Sequence, residues 1–234
     1  MKWSQTTHTG LVRLNNEDAF LIEPALGLFA VADGLGGHRA GEVASHKALE
    51  QLPQFLGGAA NPAVDLVTAM EAVNASLLAI ANANRAWRGM GTTCTACLVR
   101  GRDLWVGHVG DSRAYLLRGG DVLQLTEDHT WVSELVKNGE MTGEEARRHP
   151  RRNMLVRALG VEAAVRVDLR YLGLVPGDRV LLCTDGLSDL VTPAETGAIV
   201  AGSPDLASGV GRLLAQALAR GGPDNVTIVL LEVE

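Results

Sequence analysis

The feature that most constrains this chain is an aspartate placed at the end of a fully apolar strand. Leu28-Phe-Ala-Val-Ala-Asp33 runs straight into Gly34-Leu-Gly-Gly37-His38. A short apolar run bounded by glycine punctuation predicts a buried strand. An acid at its end is costly unless something positive meets it. Val180-Leu-Leu-Cys-Thr-Asp185-Gly repeats the pattern, and Gly221-Gly-Pro-Asp224-Asn225 inverts it by leading into the apolar run from Val226 to Val233. Packing that aligns these strand ends would bring Asp33, Asp185 and Asp224 to one rim. Three carboxylates there suit a polynuclear site for Mn2+ or Mg2+, which take carboxylate, carbonyl and water oxygens. Cysteine and histidine at zinc spacing are absent, so zinc is disfavoured.

Taken in order, residues 3–9 and 19–23 predict short strands, with Gly10 and Asn15-Asn16 between them. A helix is expected over 41–52, closed by Pro53 and Gly57-Gly58. Asn61-Pro62 supplies a cap and a first-turn proline for a second helix running to about Arg85, with Leu66, Met70, Val73, Leu77 and Ile80 at helical spacing. From Gly91 to Thr126 the period changes to that of strands, and tight turns at 101–103, 110–112 and 119–120 predict an antiparallel meander. A strand over 165–172, the Asp185 strand, helices opened by Thr192-Pro193 and Ser203-Pro204, and the final strand complete the series. Grouped strands and grouped helices predict an α+β layered fold over an alternating one, in one domain spanning 1–234.

Composition narrows the partners. The 234 residues are 47% hydrophobic and 21% charged, as expected of a soluble chain with a sizeable core. A net charge of −6 argues against nucleic acid or an anionic membrane as partner. It does not exclude a phosphorylated substrate, because bound cations would reverse the field locally. The N-terminus shows no apolar signal segment, and no apolar run approaches the roughly 18–20 residues that span a bilayer. Three cysteines in apolar surroundings read as reduced thiols, so a cytoplasmic location is expected.

Each remaining candidate has a plain structural reading beside the chemical one. Arg13 with Glu17-Asp18 reads as a surface charge cluster, unless Glu17 joins the metal rim and Arg13 grips phosphate oxygens with its fork. Asp111 sits where a hairpin turn is expected. Asp189 would share a helical face with Asp185 if the chain turns helical there. His38, His108 and His129 suit hydrogen-bonded structural roles, and the arginines of 147–152 a solvated face. Cys94-Thr-Ala-Cys-Leu-Val-Arg100 has the cysteine-to-arginine spacing of thiol-dependent phosphatases, but it reads as a strand without the loop of N–H groups that chemistry needs. Cys94 and Cys97 fall on opposite faces of that strand. Neither a Gly-x-Ser-x-Gly elbow nor a Walker loop is present.

Together these pieces resemble the bacterial metal-dependent Ser/Thr protein phosphatases of the PP2C (PPM) family. The matching segments are Gly10-Leu-Val-Arg13 with Glu17-Asp18, Val31-Ala-Asp33-Gly-Leu-Gly-Gly-His38, Gly41-Glu-Val-Ala-Ser45 and Gly91-Thr-Thr93. Gly107-His-Val-Gly-Asp111-Ser-Arg113, Leu125-Thr-Glu-Asp-His129, Thr184-Asp185-Gly-Leu-Ser-Asp189 and Asp224-Asn225-Val-Thr follow in the family's order. The resemblance implies a four-layer αββα sandwich, two antiparallel sheets face to face with helices outside, and two Mn2+ or Mg2+ ions at one end. It implies that Asp33 bridges both ions, that Asp185 and Asp224 hold one, and that Glu17 and the Gly34 carbonyl hold the other. Asp111, with Asp185 and Asp189, matches a third metal site, Arg13 the phosphate-binding residue, and residues 130–160 a flap beside the site. Many eukaryotic members place a histidine, a proposed general acid, where this chain has Leu35; His38 is its nearest replacement, the alternative being that the leaving alkoxide takes its proton from metal-bound water.

The implied activity is hydrolysis of phosphoserine and phosphothreonine on proteins by cation-activated water, opposing a Hanks-type Ser/Thr kinase, by a monomer. Two alternatives share the scaffold. A non-catalytic docking protein should have lost rim carboxylates, all of which are present here, and a phosphatase of small metabolites would differ only in its substrates.

Overall fold

Strands that are apolar on both faces must be covered on both faces, and that requirement shapes the whole molecule. The computed structural model describes residues 1–36, 39–58 and 61–234. β1 (Lys2–His8), β2 (Asp18–Glu23) and β3 (Leu28–Leu35) come first, followed by α1 (Arg39–Phe55) and α2 (Pro62–Ala83). Next are β4 (Gly91–Thr92), β5 (Cys94–Arg100), β6 (Asp103–Val109), β7 (Arg113–Arg118) and β8 (Asp121–Gln124). α3 (Trp131–Lys137) and α4 (Gly143–Arg148) precede β9 (Asp168–Gly173), β10 (Arg179–Cys183) and the single turn α5 (Asp185–Ser188). α6 (Pro193–Ala201), α7 (Leu206–Ala219) and β11 (Val226–Glu232) follow.

These strands build two antiparallel sheets, one in the order β1-β11-β10-β7-β8 and one in the order β2-β3-β5-β6-β9 with β4 beside β3. The period-two alternation of β3 shows how the layers are made. Phe29 and Val31 pack with Val106, Leu116, Leu182 and Val229 between the sheets. Leu28, Ala30 and Ala32 face the other way, onto Ala44, Leu52, Met70 and Leu77 of α1 and α2. On the far side Leu181, Ile228 and Leu230 meet Val210 and Leu213 of α7. Each such fully buried aliphatic side chain stabilises the fold by about 1.5–3 kcal/mol relative to exposure. The result is the expected αββα sandwich.

Several sequence expectations shift. The segment from Gly91 to Thr126 is no single meander. β5 and β6 pair in one sheet, β7 and β8 in the other. The Gly110-Asp111-Ser112 stretch is therefore a crossing between sheets, not a hairpin turn, which accounts for its burial. Pro53 lies inside α1, which continues to Phe55, since the proline removes one backbone donor close to the helix end. The last helix starts at Leu206, because the Asp205 carboxylate, not Ser203, accepts from Ser208 N–H and caps it. By length and apolarity α2 could cross a membrane, contrary to the reading from apolar runs. Its Leu66, Met70, Val73 and Leu77 are all buried in the helix–sheet core. Gly107 on β6 admits it: a Cβ there would lie 2.7 Å from Met70 Sδ.

Candidate active site

The strand ends converge as the apolar pattern required. Asp33 lies within β3, opposite Asp18 of β2. Its backbone is held on both sides: its N–H donates to Thr93 Oγ1 at 2.8 Å, and its carbonyl accepts from Thr93 N–H at 2.9 Å and Thr92 Oγ1 at 2.8 Å. Asp185 opens α5 at the end of β10. Asp189 follows one turn later, and its N–H donates to the Asp185 carbonyl at 2.8 Å. Asp224 precedes β11; its Oδ1 accepts from Asn225 N–H at 2.8 Å and its Oδ2 from Arg13 Nη2 at 2.8 Å.

Asn225 ties the Arg13 loop to this rim. Its Nδ2 donates to the carbonyls of Thr9 and Asn15, each at 2.9 Å, while its Oδ1 accepts from Glu17 N–H at 2.7 Å. The Glu17 carboxylate lies against the first turn of α1, where a Cβ on Gly41 would fall 2.0 Å from Oε2. A helix N-terminus favours negative charge. Gly34 N–H donates to the Glu17 carbonyl at 3.1 Å, so Glu17, Gly34 and Asp33 form one patch. His38 lies outside the described residues.

The electrostatics are those of too many acids in too little water. The Asp33 carboxyl is pushed well above the ordinary range by burial and then by Asp18, Asp185, Asp111 and Asp224. Burial, followed by Asp189 and Asp224, raises Asp185 to about 7. Asp18 also rises to about 7, mainly through burial, although hydrogen bonds from Thr227 and Thr184 oppose the shift. Asp111 moves up through burial and then the charge of Asp185. Arg13 opposes this excess, its own pKa raised first by the Asp224 hydrogen bond and also by Asp33 and Glu17.

Asp111, Asp185 and Asp189 line one end of a cavity of about 760 Å³ beneath the segment 130–160. From that segment Asn153 Nδ2 reaches Asp185 Oδ2 at 3.0 Å and Asp189 Oδ2 at 3.2 Å. Arg152 Nε stands 3.4 Å from Asp189. Asp185 and Asp189 thus share a face, and Asn153 bridges it.

Among the described residues, no three histidine, cysteine, aspartate or glutamate side chains stand ready-made as a metal cage. Asp224 is turned to Arg13, and Asp185 and Asp189 to Asn153. The donor set nevertheless fits hard cations. The buried oxygens Asp18 Oδ1 and Asp185 Oδ1 have no hydrogen-bond partner, and buried carboxylates without one call for positive charge. The thiol alternative finds no support, since burial alone lifts Cys94 to about 12.

Sequence reasoning missed Asp18 as a member of the rim, and Asn225, Thr93 and Asn153 as its fasteners. Alternation in β2 was the available signal for Asp18, an acid facing the buried pair of a neighbouring strand. Asn153 left no signal in its own neighbourhood.

Comparison with known proteins agrees with this geometry. The profile of the family described as Protein phosphatase 2C matches residues 8–219. The serine/threonine protein phosphatase PstP of Mycobacterium tuberculosis is 42% identical over 238 residues, which cover 100% of this chain and 45% of that protein. The chain thus spans about half the length of this curated relative. The serine/threonine phosphatase stp of Listeria innocua is 38% identical over 239 residues, covering 97% of this chain and 93% of that one. The crystal structure of the PstP catalytic domain in complex with 2 manganese ions superposes with a TM-score of 0.90 at 39% identity, covering 100% of this chain and 98% of that chain. With this fold, this rim and a family match over nearly its whole length, the chain belongs to the protein phosphatase 2C family of metal-dependent Ser/Thr phosphatases.

Proposed function

We propose that residues 1–234 form a single catalytic domain that hydrolyses phosphoserine and phosphothreonine on proteins with the help of Mn2+ or Mg2+. The observation that carries this reading is the pairing of Arg13 with Asp224 beside the unpartnered buried oxygen of Asp185. One cationic fork and several uncompensated carboxylates thus share a rim that must receive both a phosphate and its counter-cations. The manganese-bound relative supports the choice of cation.

Asp33 would hold both of two ions, with Asp185 and Asp224 on one and Glu17 and the Gly34 carbonyl on the other. A third site would use Asp111 with Asp185 and Asp189. Such cations, when bound, supply Lewis acidity and water activation near neutral pH. Arg13 swings its fork between Asp224 and the substrate, binding two phosphoryl oxygens and fixing the phosphorus for in-line attack. Its charge also stabilises the negative charge on those oxygens in the transition state. His38 is the proposed proton donor to the departing serine or threonine oxygen. The hydroxyl product then leaves while Arg13 retains the phosphate until exchange with water.

The partners are phosphorylated proteins and an opposing Ser/Thr kinase, with neither nucleic acid nor membrane involved. The domain acts as a monomer, and a cytoplasmic location is in keeping with the buried free thiols of Cys94, Cys97 and Cys183. The deciding experiment measures p-nitrophenyl phosphate and phosphopeptide hydrolysis with Mn2+, Mg2+ and chelator, comparing the wild type with Asp33→Asn and Asp185→Asn. Loss of turnover in both variants and in chelator is expected; near-normal turnover in either variant would overturn the metal assignment.

A further inference from the structure

The three most exposed large apolar side chains among the described residues all sit in one loop, around Arg13. Leu11 is 63% exposed, Val12 68% and Leu14 96%. Single exposed leucines are ordinary on a protein surface. Here three of the four residues from Leu11 to Leu14 are apolar and outward, and the fourth is the cation of the rim.

This arrangement is held in place. Leu11 N–H donates to the Gly222 carbonyl at 2.7 Å, and Asn225 pins the carbonyls of Thr9 and Asn15. Gly10 sits at φ +81°, with the Asp224 carbonyl only 2.2 Å from where a Cβ would be. Pinned at both ends, the loop holds its apolar side chains toward solvent on either side of Arg13. A grouped apolar surface beside a charged site marks a place where another molecule docks.

We propose that Leu11, Val12 and Leu14 form a docking surface for apolar side chains flanking the phosphorylated residue of a protein substrate. Distance favours a polypeptide over a small phosphate ester. Val12 and Leu14 are each one residue from Arg13, about 3.8 Å between Cα atoms, and an extended peptide advances about 3.3–3.6 Å per residue. With its phosphate on Arg13, a peptide would lay side chains two or three positions away on this loop. A small phosphate ester meets the fork but carries no flanking side chains to set on the loop. Charge separates the two functions, since Arg13 takes the dianion and its neighbours take what charge cannot recognise.

The inference rests on the phosphatase reading, and the test separates the two. The full chain with Mn2+ is assayed on p-nitrophenyl phosphate and on two phosphothreonine peptides, one flanked by leucine and valine and one by serine and glycine. The wild type should show about a tenfold higher kcat/KM on the apolar peptide, the scale expected from covering part of a leucine. In the Leu11→Ser, Leu14→Ser double variant that preference should shrink to about twofold or less, while the ratio between the serine–glycine peptide and p-nitrophenyl phosphate stays put. A preference that survives in the variant, or is absent from the wild type, overturns the proposal. So does an equal loss on all three substrates, which would mean the loop only positions Arg13. A wild-type dimer that the variant converts to monomers, with peptide preference unchanged, would assign the surface to a second copy instead. Absence of any Mn2+-dependent hydrolysis by the wild type would remove the phosphatase reading itself.

Discussion

Asp18 and Asp33 stand directly opposite one another as register partners across β2 and β3. Like charges so placed repel, and burial magnifies the effect. Asp18 is 3% exposed; its Oδ2 accepts from Thr184 Oγ1 at 2.8 Å and its Oδ1 has no partner. The pair is a liability to the fold that a bound proton or a cation offsets. Asp18→Asn retains an acceptor for Thr184 and removes one charge. At pH 8 in chelator the variant should melt a few degrees higher than wild type, about 2–4 °C for each kcal/mol of repulsion relieved. In Mn2+ the order should invert, because the wild type gains more from the cation. A variant that melts lower in chelator would show that Asp18 serves packing and not charge.

Arg13 is half exposed where it meets Asp224, so the pair contributes about 0–1 kcal/mol to stability. Its value lies in substrate binding. Arg13→Ala should leave the melting temperature nearly unchanged and raise KM for p-nitrophenyl phosphate by about 10–100-fold, the scale of one or two charge-assisted hydrogen bonds. Arg13→Lys should recover only part of the loss, since a point charge replaces a fork. Steady-state kinetics of the two variants decide the matter, and an unchanged KM in Arg13→Ala counts against the phosphate role.

Asp33, Asp185 and Asp224 were legible because burial of an acid at an apolar strand end is a problem visible in one dimension. The layering was legible too, since strands such as β3 and β11 carry apolar residues on both faces and need cover on both sides. What escaped was pairing between distant segments. That Gly110-Asp111-Ser112 crosses between sheets depends on β6 pairing with β9, sixty residues downstream, and no local signal records it. Glycine after Asp33 and Asp185 reads as punctuation that ends a strand, yet Gly34 lies inside β3 and Gly186 inside α5. The glycines are there for close approach of another chain segment.

That close approach yields a prediction. A Cβ on Gly34 would lie 2.1 Å from the Gly41 carbonyl oxygen, and one on Gly186 would lie 1.9 Å from that of Asn225. Both obstacles are backbone, which cannot swing aside as a side chain would. Gly34→Ala and Gly186→Ala should each cost about 1–3 kcal/mol or more in overpacking and displace the neighbouring aspartate. Gly119→Ala, at a turn where a Cβ would meet nothing within 4 Å, provides the comparison, its own cost being limited to a backbone at φ +61°. Denaturant unfolding of the three variants should place Gly34→Ala and Gly186→Ala well below Gly119→Ala, with Mn2+ affinity reduced in the first two alone. Equal stabilities would mean that the rim yields more easily than its geometry indicates.

His108 is 2% exposed, with Nδ1 2.8 Å from Thr95 Oγ1 and Nε2 3.0 Å from the Glu127 carbonyl. Burial, then the neighbouring His129, pushes it down from its ordinary 6.5 to about 3. The folded protein therefore keeps His108 neutral through a range in which the unfolded chain protonates it. Between pH 6.5 and about 3 the unfolded state holds the extra proton, so stability falls as the solution is acidified and is restored as pH rises. A variant without the titration, His108→Gln, starts from a lower stability because its packing is imperfect, so the slope is what matters. Relative to that variant the wild type should lose about 1.4 kcal/mol for each pH unit below 6. The buried acids of the rim have the opposite slope, but they are common to both proteins and cancel in the difference. Denaturant melts at pH 7.5, 6 and 5 measure it, and parallel curves for the two proteins would show that His108 accepts its proton without leaving the fold.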